Sequence, residues 1–103
     1  MMEKPPARPD QQSKHSRVEV EFYWRPGCPY CMAAEHLLRR KGVEPIMIRI
    51  DRDHGLRKEM IRRSAGCTTV PQIFIAGRHI GGCEELHALE ERGALESLLK
   101  GSA

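Results

Sequence analysis

Residues 28–31 read Cys-Pro-Tyr-Cys, and they sit where a strand pattern gives way to a helix pattern. Two thiols three residues apart at a helix start share one turn and are able to close a small disulfide. The same placement sets the first sulfur against unpaired backbone N–H groups and the positive end of the helix dipole, and both favour thiolate over thiol. A thiolate is the nucleophile of disulfide exchange, so Cys28 is expected to be the attacking sulfur, at an exposed helix start. Pro29 suits the first helical turn, where its missing N–H has no intrahelical partner to lose. Cys31, one turn further in, shares a face with Ala34 and Leu38. It is expected to be more buried and less acidic, as suits a resolving thiol. The competing reading is half of a zinc site. Such sites bring a second closely spaced pair, and Cys67 and Cys83 lie too far apart in the chain to supply one.

The elements that must position these sulfurs are legible as patterns. Val18-Glu19-Val20-Glu21-Phe22-Tyr23-Trp24 alternates and is rich in β-branched and aromatic residues, which predicts a strand. Met32 to Lys41 is a run of helix formers stopped by Gly42. Pro45 to Ile50 reads as a second strand. Asp53 then caps a helix through about Ser64, with Leu56, Met60 and Ile61 as its apolar stripe. The first half is therefore β-α-β-α, with a right-handed crossover between parallel strands. In the second half Gln72 to Ala76 is a strand, Gly77-Arg78 a tight hairpin, and His79-Ile80-Gly81 an antiparallel return. A helix with Leu86 and Leu89 facing inward follows. Gly93 interrupts it, and a last short helix carries Leu95, Leu98 and Leu99.

Two further segments could serve the sulfur site. Thr69-Val70-Pro71 precedes the third strand, where a proline removes a ladder donor. Either the Val70-Pro71 bond is cis, leaving the Val70 backbone to pair with an extended ligand, or a trans proline simply opens the strand. Gly81-Gly82-Cys83-Glu84-Glu85 opens a helix, and its N–H groups are able to hold a carboxylate or phosphate. The plainer alternative is a flexible turn with acidic capping residues.

The 103 residues leave room for one small domain with one core. Residues 1–17 contain three prolines and almost nothing apolar, and are expected to be a disordered tail; the domain is expected over 18–103. No apolar run is long enough to span a membrane, and the N-terminus has no signal-peptide pattern, so a reducing, cytoplasmic setting is the expectation. Four cysteines in such a setting suit redox or metal chemistry better than a structural disulfide framework. The net charge of +3 arises largely on helix faces, through Arg39, Arg40 and Lys41, then Arg57, Lys58, Arg62 and Arg63. These read either as solvated surface or as a positive rim for a small anionic substrate. Nucleic acid is disfavoured, since no helix-turn-helix or RNA-binding signature is present.

Taken together, these motifs resemble the glutaredoxin family, closest to its short bacterial, dithiol glutaredoxin 3 type. The resemblance runs from Val20 to about Lys100. It is carried by Cys28-Pro29-Tyr30-Cys31, by Thr68-Thr69-Val70-Pro71-Gln72-Ile73-Phe74-Ile75, and by His79-Ile80-Gly81-Gly82-Cys83. It implies an α/β, thioredoxin-like fold: a four-stranded mixed sheet flanked by helices, with a cis Pro71 beside the site. It also implies that Cys28 and Cys31 are catalytic. Arg25, Tyr30, Thr69, Val70, Pro71, Gly82, Cys83 and Glu84 are implied to bind glutathione. Among these, Val70 would pair through its backbone, Gly82, Cys83 and Glu84 through helix-start amides, and Arg25 through its charge. The chain departs from the family pattern at Arg25, where lysine is usual, at Glu84-Glu85, where Asp-Asp is usual, at Cys67, where a basic residue is common, and at Trp24.

The resemblance implies a glutathione-dependent thiol–disulfide oxidoreductase. Glutathione would be a co-substrate, with no tightly bound cofactor and no metal. The expected partners are glutathionylated proteins and protein disulfides such as that of ribonucleotide reductase, with glutathione reductase acting indirectly through glutathione. A monomer with no nucleic-acid or membrane partner is expected. Two alternatives stand beside this reading: a glutathione-ligated [2Fe–2S] carrier, and a redoxin served by thioredoxin reductase.

Overall fold

The computed structural model describes residues 18–101; the expected tail over 1–17 lies outside the described residues. The elements follow in the order β1 (Val20–Trp24), α1 (Pro29–Arg40), β2 (Ile46–Arg49), α2 (His54–Arg63), β3 (Gln72–Ile75), β4 (Arg78–Gly81), α3 (Cys83–Glu91) and α4 (Leu95–Lys100). The sheet order is β2-β1-β3-β4. The β1–β2 pair is parallel, and the β1–β3 and β3–β4 pairs are antiparallel.

Strand alternation divides the interior into two layers. Val20, Phe22, Ile73 and Ile75 face a core shared with α1 (Cys31, Ala34, Leu37, Leu38), with Leu86 of α3, and with Leu95 and Leu99 of α4. Tyr23 and Phe74 face the other way and pack with Ile50 and with Met60 of α2. Phe22 is fully buried, and truncating such a ring to alanine costs about 3–5 kcal/mol, which makes it a single change able to break the fold. The order of elements agrees with the expected β-α-β-α-β-β-α arrangement, the last helix being broken at Gly93 into α3 and α4.

Three boundaries differ from the sequence reading. Val18 does not enter the sheet, because its N–H bonds to the Leu99 carbonyl at the end of α4 (3.0 Å). β2 is shorter than Pro45–Ile50, although Ile50 N–H still pairs with Trp24 O at 3.0 Å. The hairpin turn is Ala76-Gly77 rather than Gly77-Arg78. Ala76 (φ +53°) and Gly77 (φ +80°) both lie in the left-handed region, as a two-residue turn matched to strand twist requires.

Candidate active site

Cys28 is the N-cap of α1, with extended backbone (φ −108°, ψ 107°), and Pro29 follows at the start of the helix. Its Sγ accepts the Cys31 N–H at 3.3 Å, doing with sulfur what a capping oxygen usually does. With its proton on, Cys28 Sγ donates to the Val70 carbonyl at 3.7 Å. The first turn of α1 holds no acidic residue. The expectation of an exposed Cys28 is corrected: Cys28 is 4% exposed and Cys31 3% exposed. Contact with the Val70 loop covers the sulfur. The asymmetry of the pair lies elsewhere, because Cys28 lines a cavity and Cys31 does not. Burial, with a smaller addition from the Cys28 sulfur, pushes the Cys31 thiol up to about 12, so it stays protonated where ordinary thiols ionise. Tyr30 (67% exposed) and Met32 (66%) stand out into solvent on the same turn.

The cavity measures about 1040 Å³. Its walls are the Arg25–Tyr30 turn, the β2–α2 junction from Ile50 to His54 with Arg57, the loop Thr68–Pro71, and the start of α3 from Gly82 to Glu85. Nine of the ten site residues named from the sequence line it, Cys31 being the exception: Arg25, Cys28, Tyr30, Thr69, Val70, Pro71, Gly82, Cys83 and Glu84. The Val70-Pro71 peptide is cis, the first of the two alternatives left open above.

The start of α3 is built on close approach. A Cβ at Gly82 would stand 3.1 Å from the Pro71 carbonyl oxygen, so glycine lets the helix start and the Pro71 loop meet. The first helical bond of α3 is Leu86 N–H to Gly82 O (3.0 Å), which leaves the amides of Cys83, Glu84 and Glu85 ahead of the ladder. The Gly82 amide is engaged within the chain, donating to Glu85 Oε1 at 2.8 Å. Cys83 Sγ lies 3.4 Å from His87 Nδ1. Burial pushes the Cys83 thiol up, and the Cys28, Glu84 and Glu85 charges push it further the same way.

The two readings of the basic residues divide by location. Arg39 pairs with Glu35 and Glu44, and Lys41 with Glu90 and Glu96, as solvated faces do. Arg63 packs inward, bonding Glu21 (2.9 Å) and the Tyr23 hydroxyl (2.8 Å) with its guanidinium 4.1 Å from the Phe74 ring centroid. Arg25, Arg52 and Arg57 line the cavity. Two acids on the same wall are already engaged: Asp53 caps α2 through Leu56 N–H (2.9 Å), and Asp51 pairs with Arg49 (2.6 Å). The cavity therefore offers a sulfur, an extended backbone edge, a helix start and arginines, a set suited to a small anionic peptide-like thiol.

Sequence reasoning missed the β2–α2 wall. The Asp53 cap was visible, but which side of the sheet that helix start opens on depends on packing. It also missed Gln72, whose only signal was a polar residue opening the otherwise apolar Ile73-Phe74-Ile75 run.

A family model described as Glutaredoxin matches residues 20–80. Glutaredoxin 3 of Escherichia coli K12 is 54% identical over 83 residues, covering 81% of this chain and 99% of that protein. A glutaredoxin of Pseudomonas aeruginosa is 51% identical over 80 residues, covering 78% of this chain and 94% of that one. The solution structure of glutaredoxin from Brucella melitensis superposes with a TM-score of 0.74 at 51% identity, covering 85% of this chain and 95% of that one.

Proposed function

The chain belongs to the glutaredoxin family, with its thioredoxin-like fold and a thiol–disulfide oxidoreductase role, and on that premise we propose that it draws its electrons from glutathione and reduces glutathione mixed disulfides and protein disulfides. The observation that carries this reading is that Cys28, the Val70 backbone edge its sulfur touches, three arginines and the helix-start residues of α3 line one cavity.

The Cys28 thiolate attacks the glutathione sulfur of a mixed disulfide. A new S–S bond forms, the old one breaks, and the client leaves as thiolate and takes up a proton. A second glutathione thiolate attacks the glutathione sulfur held on Cys28, releasing glutathione disulfide and restoring Cys28. One free glutathione is consumed per mixed disulfide, and the glutathione already held in that disulfide forms the other half of the glutathione disulfide released. In this reading Val70 holds the glutathione cysteine through its backbone, with Thr69 and Pro71 shaping that edge. The helix-start amides of Cys83 and Glu84 take the γ-glutamyl carboxylate, Arg25 takes the other carboxylate, and Tyr30 packs alongside. For a protein disulfide, Cys28 attacks one client sulfur and the other leaves as thiolate; Cys31, giving up its proton, attacks Cys28 Sγ and frees the client as a dithiol, and two glutathiones then reduce the Cys28–Cys31 bond and leave as glutathione disulfide. Once Cys28 is in a disulfide its charge no longer raises the Cys31 thiol, while burial still does. The clients would be proteins such as ribonucleotide reductase, met by a monomer in a reducing cytoplasm.

The test is reduction of a glutathionylated peptide by glutathione, glutathione reductase and NADPH, run beside thioredoxin reductase as sole donor. Turnover with glutathione and little with thioredoxin reductase is expected; the reverse result would sink the assignment. Cys31→Ser should keep deglutathionylation and lose most protein-disulfide reduction.

A further inference from the structure

We propose that Gln72 is a positioning residue that fixes the ligand-facing edge at Thr69-Val70, with His79 fixing Gln72 in turn; the proposal rests on the functional reading above. The two buried polar side chains among the described residues are Ser64 (2% exposed) and Gln72 (4%). A buried polar group without a partner is costly, so where each one points is informative. Both are directed at the same loop. Ser64 Oγ accepts the Cys67 N–H at 3.1 Å. Gln72 Nε2 donates to the Thr69 carbonyl at 3.0 Å. The loop between α2 and β3 is therefore held at both ends by side chains withdrawn from water.

The orientation of the Gln72 amide follows from its two neighbours. Turned the other way, Gln72 Oε1 would face the Thr69 carbonyl, acceptor against acceptor. Oε1 accordingly faces His79, 2.6 Å from its Nε2, and the imidazole must donate from that nitrogen. The His79 ring is itself seated on Phe74, with centroids 5.0 Å apart. A line of contacts thus runs from the sheet face through His79 and Gln72 to the Thr69 carbonyl, one peptide before the Val70 group that faces Cys28. Cys28 takes its own capping bond from Cys31 N–H, within α1. The brace therefore sets where a ligand backbone lies, while the capping bond that holds the Cys28 sulfur to α1 does not run through it. An interaction made equally in ground and transition states appears in KM rather than kcat.

The experiment uses the full chain with a glutathionylated peptide as probe. Gln72→Met keeps the shape and removes the donor; KM is expected to rise about tenfold, with kcat and the Cys28 alkylation rate each changed less than about threefold. Gln72→Glu keeps an acceptor toward His79 and lacks the donor, so it should raise KM at least as much. His79→Phe keeps a ring on Phe74 and should raise KM about two- to threefold. Unchanged KM in Gln72→Met, or KM, kcat and alkylation all worsening together with the thermal midpoint, overturns the brace. Should Gln72→Met not fold, the surface variant His79→Phe decides: a raised KM upholds the proposal and an unchanged one refutes it. Wild-type turnover with glutathione is measured first. If it is absent, the functional reading has failed, and the brace is then judged by whether Gln72→Met shifts the Thr69 and Val70 amide resonances while leaving those of Cys28 and Cys31 in place.

Discussion

Cys28 and Cys83 each stand at the start of a helix and line the same cavity, yet they differ in what reaches the sulfur and in the charges that share the turn. Cys28 caps a first turn without acids and receives a backbone N–H on its sulfur. Cys83 lies inside a first turn that carries Glu84 and Glu85, and burial and those charges hold its proton on. A helix start by itself does not make a nucleophile. What matters is whether the amides reach the sulfur and which charges share the turn.

The sharpest way to break this comparison is to exchange the roles of the two sulfurs. Cys28→Ser is expected to lower glutathionylated-peptide reduction by at least about a thousandfold, since no second nucleophile replaces it, whereas Cys83→Ser should stay within about twofold. A larger loss from Cys83→Ser would reverse the assignment. Next in size is the contact that brings the second helix start to the site. Gly82→Ala sets a Cβ 3.1 Å from the Pro71 carbonyl oxygen. About 1–3 kcal/mol of stability should be lost in urea unfolding, with a raised KM for the glutathionylated peptide.

The pH dependence of Cys31 tests burial against charge. Its folded value, about 12, lies above the ordinary thiol value of 9.0. The fold therefore holds this proton more tightly than the unfolded chain does. That contribution to stability is complete below about pH 9 and is lost as pH rises toward the folded value. Urea unfolding of the reduced protein should show a decline of at most about 1.4 kcal/mol per pH unit above 9, reduced in Cys31→Ala. A profile identical to wild type in that variant would remove the burial argument. The smallest effect is expected from Glu85→Ala, which removes the acceptor of the Gly82 amide. About 0.5–1 kcal/mol should be lost, and Cys83 should alkylate faster with one raising charge gone.

The contrast between the two helix starts also marks what the sequence made legible. Cys-Pro-Tyr-Cys is a local motif: the sulfur, the proline and the helix that follow one another in the chain are the site, and reading them in order was enough. The same holds for Asp53, whose capping bond spans three residues. Cys28's burial was not legible, because the residue that covers it, Val70, is distant in sequence. The sequence pattern points to Gly77-Arg78 rather than Ala76-Gly77 because alanine gives no sign of a positive φ; only strand pairing, with Ile75 opposite Arg78, places the turn there. Gln72 is illegible in the sequence for the same kind of reason, since its contacts with the Thr69 carbonyl and His79 exist only once the loop and the β3–β4 hairpin bring them to it.

The lone tryptophan, one of the departures from the family pattern, has a position that makes it useful. Trp24 ends β1 directly before the turn that leads to Cys28. Its ring is partly buried beneath the Arg49 guanidinium, 5.9 Å from the ring centroid, and its Nε1 is withdrawn from water without a hydrogen-bond partner among the described residues. An indole held this way is a built-in optical gauge. With no second tryptophan to blur the signal, its emission should register the opening and closing of the Cys28–Cys31 bond, so that the poise of the sulfur pair becomes readable in unlabelled protein by light alone.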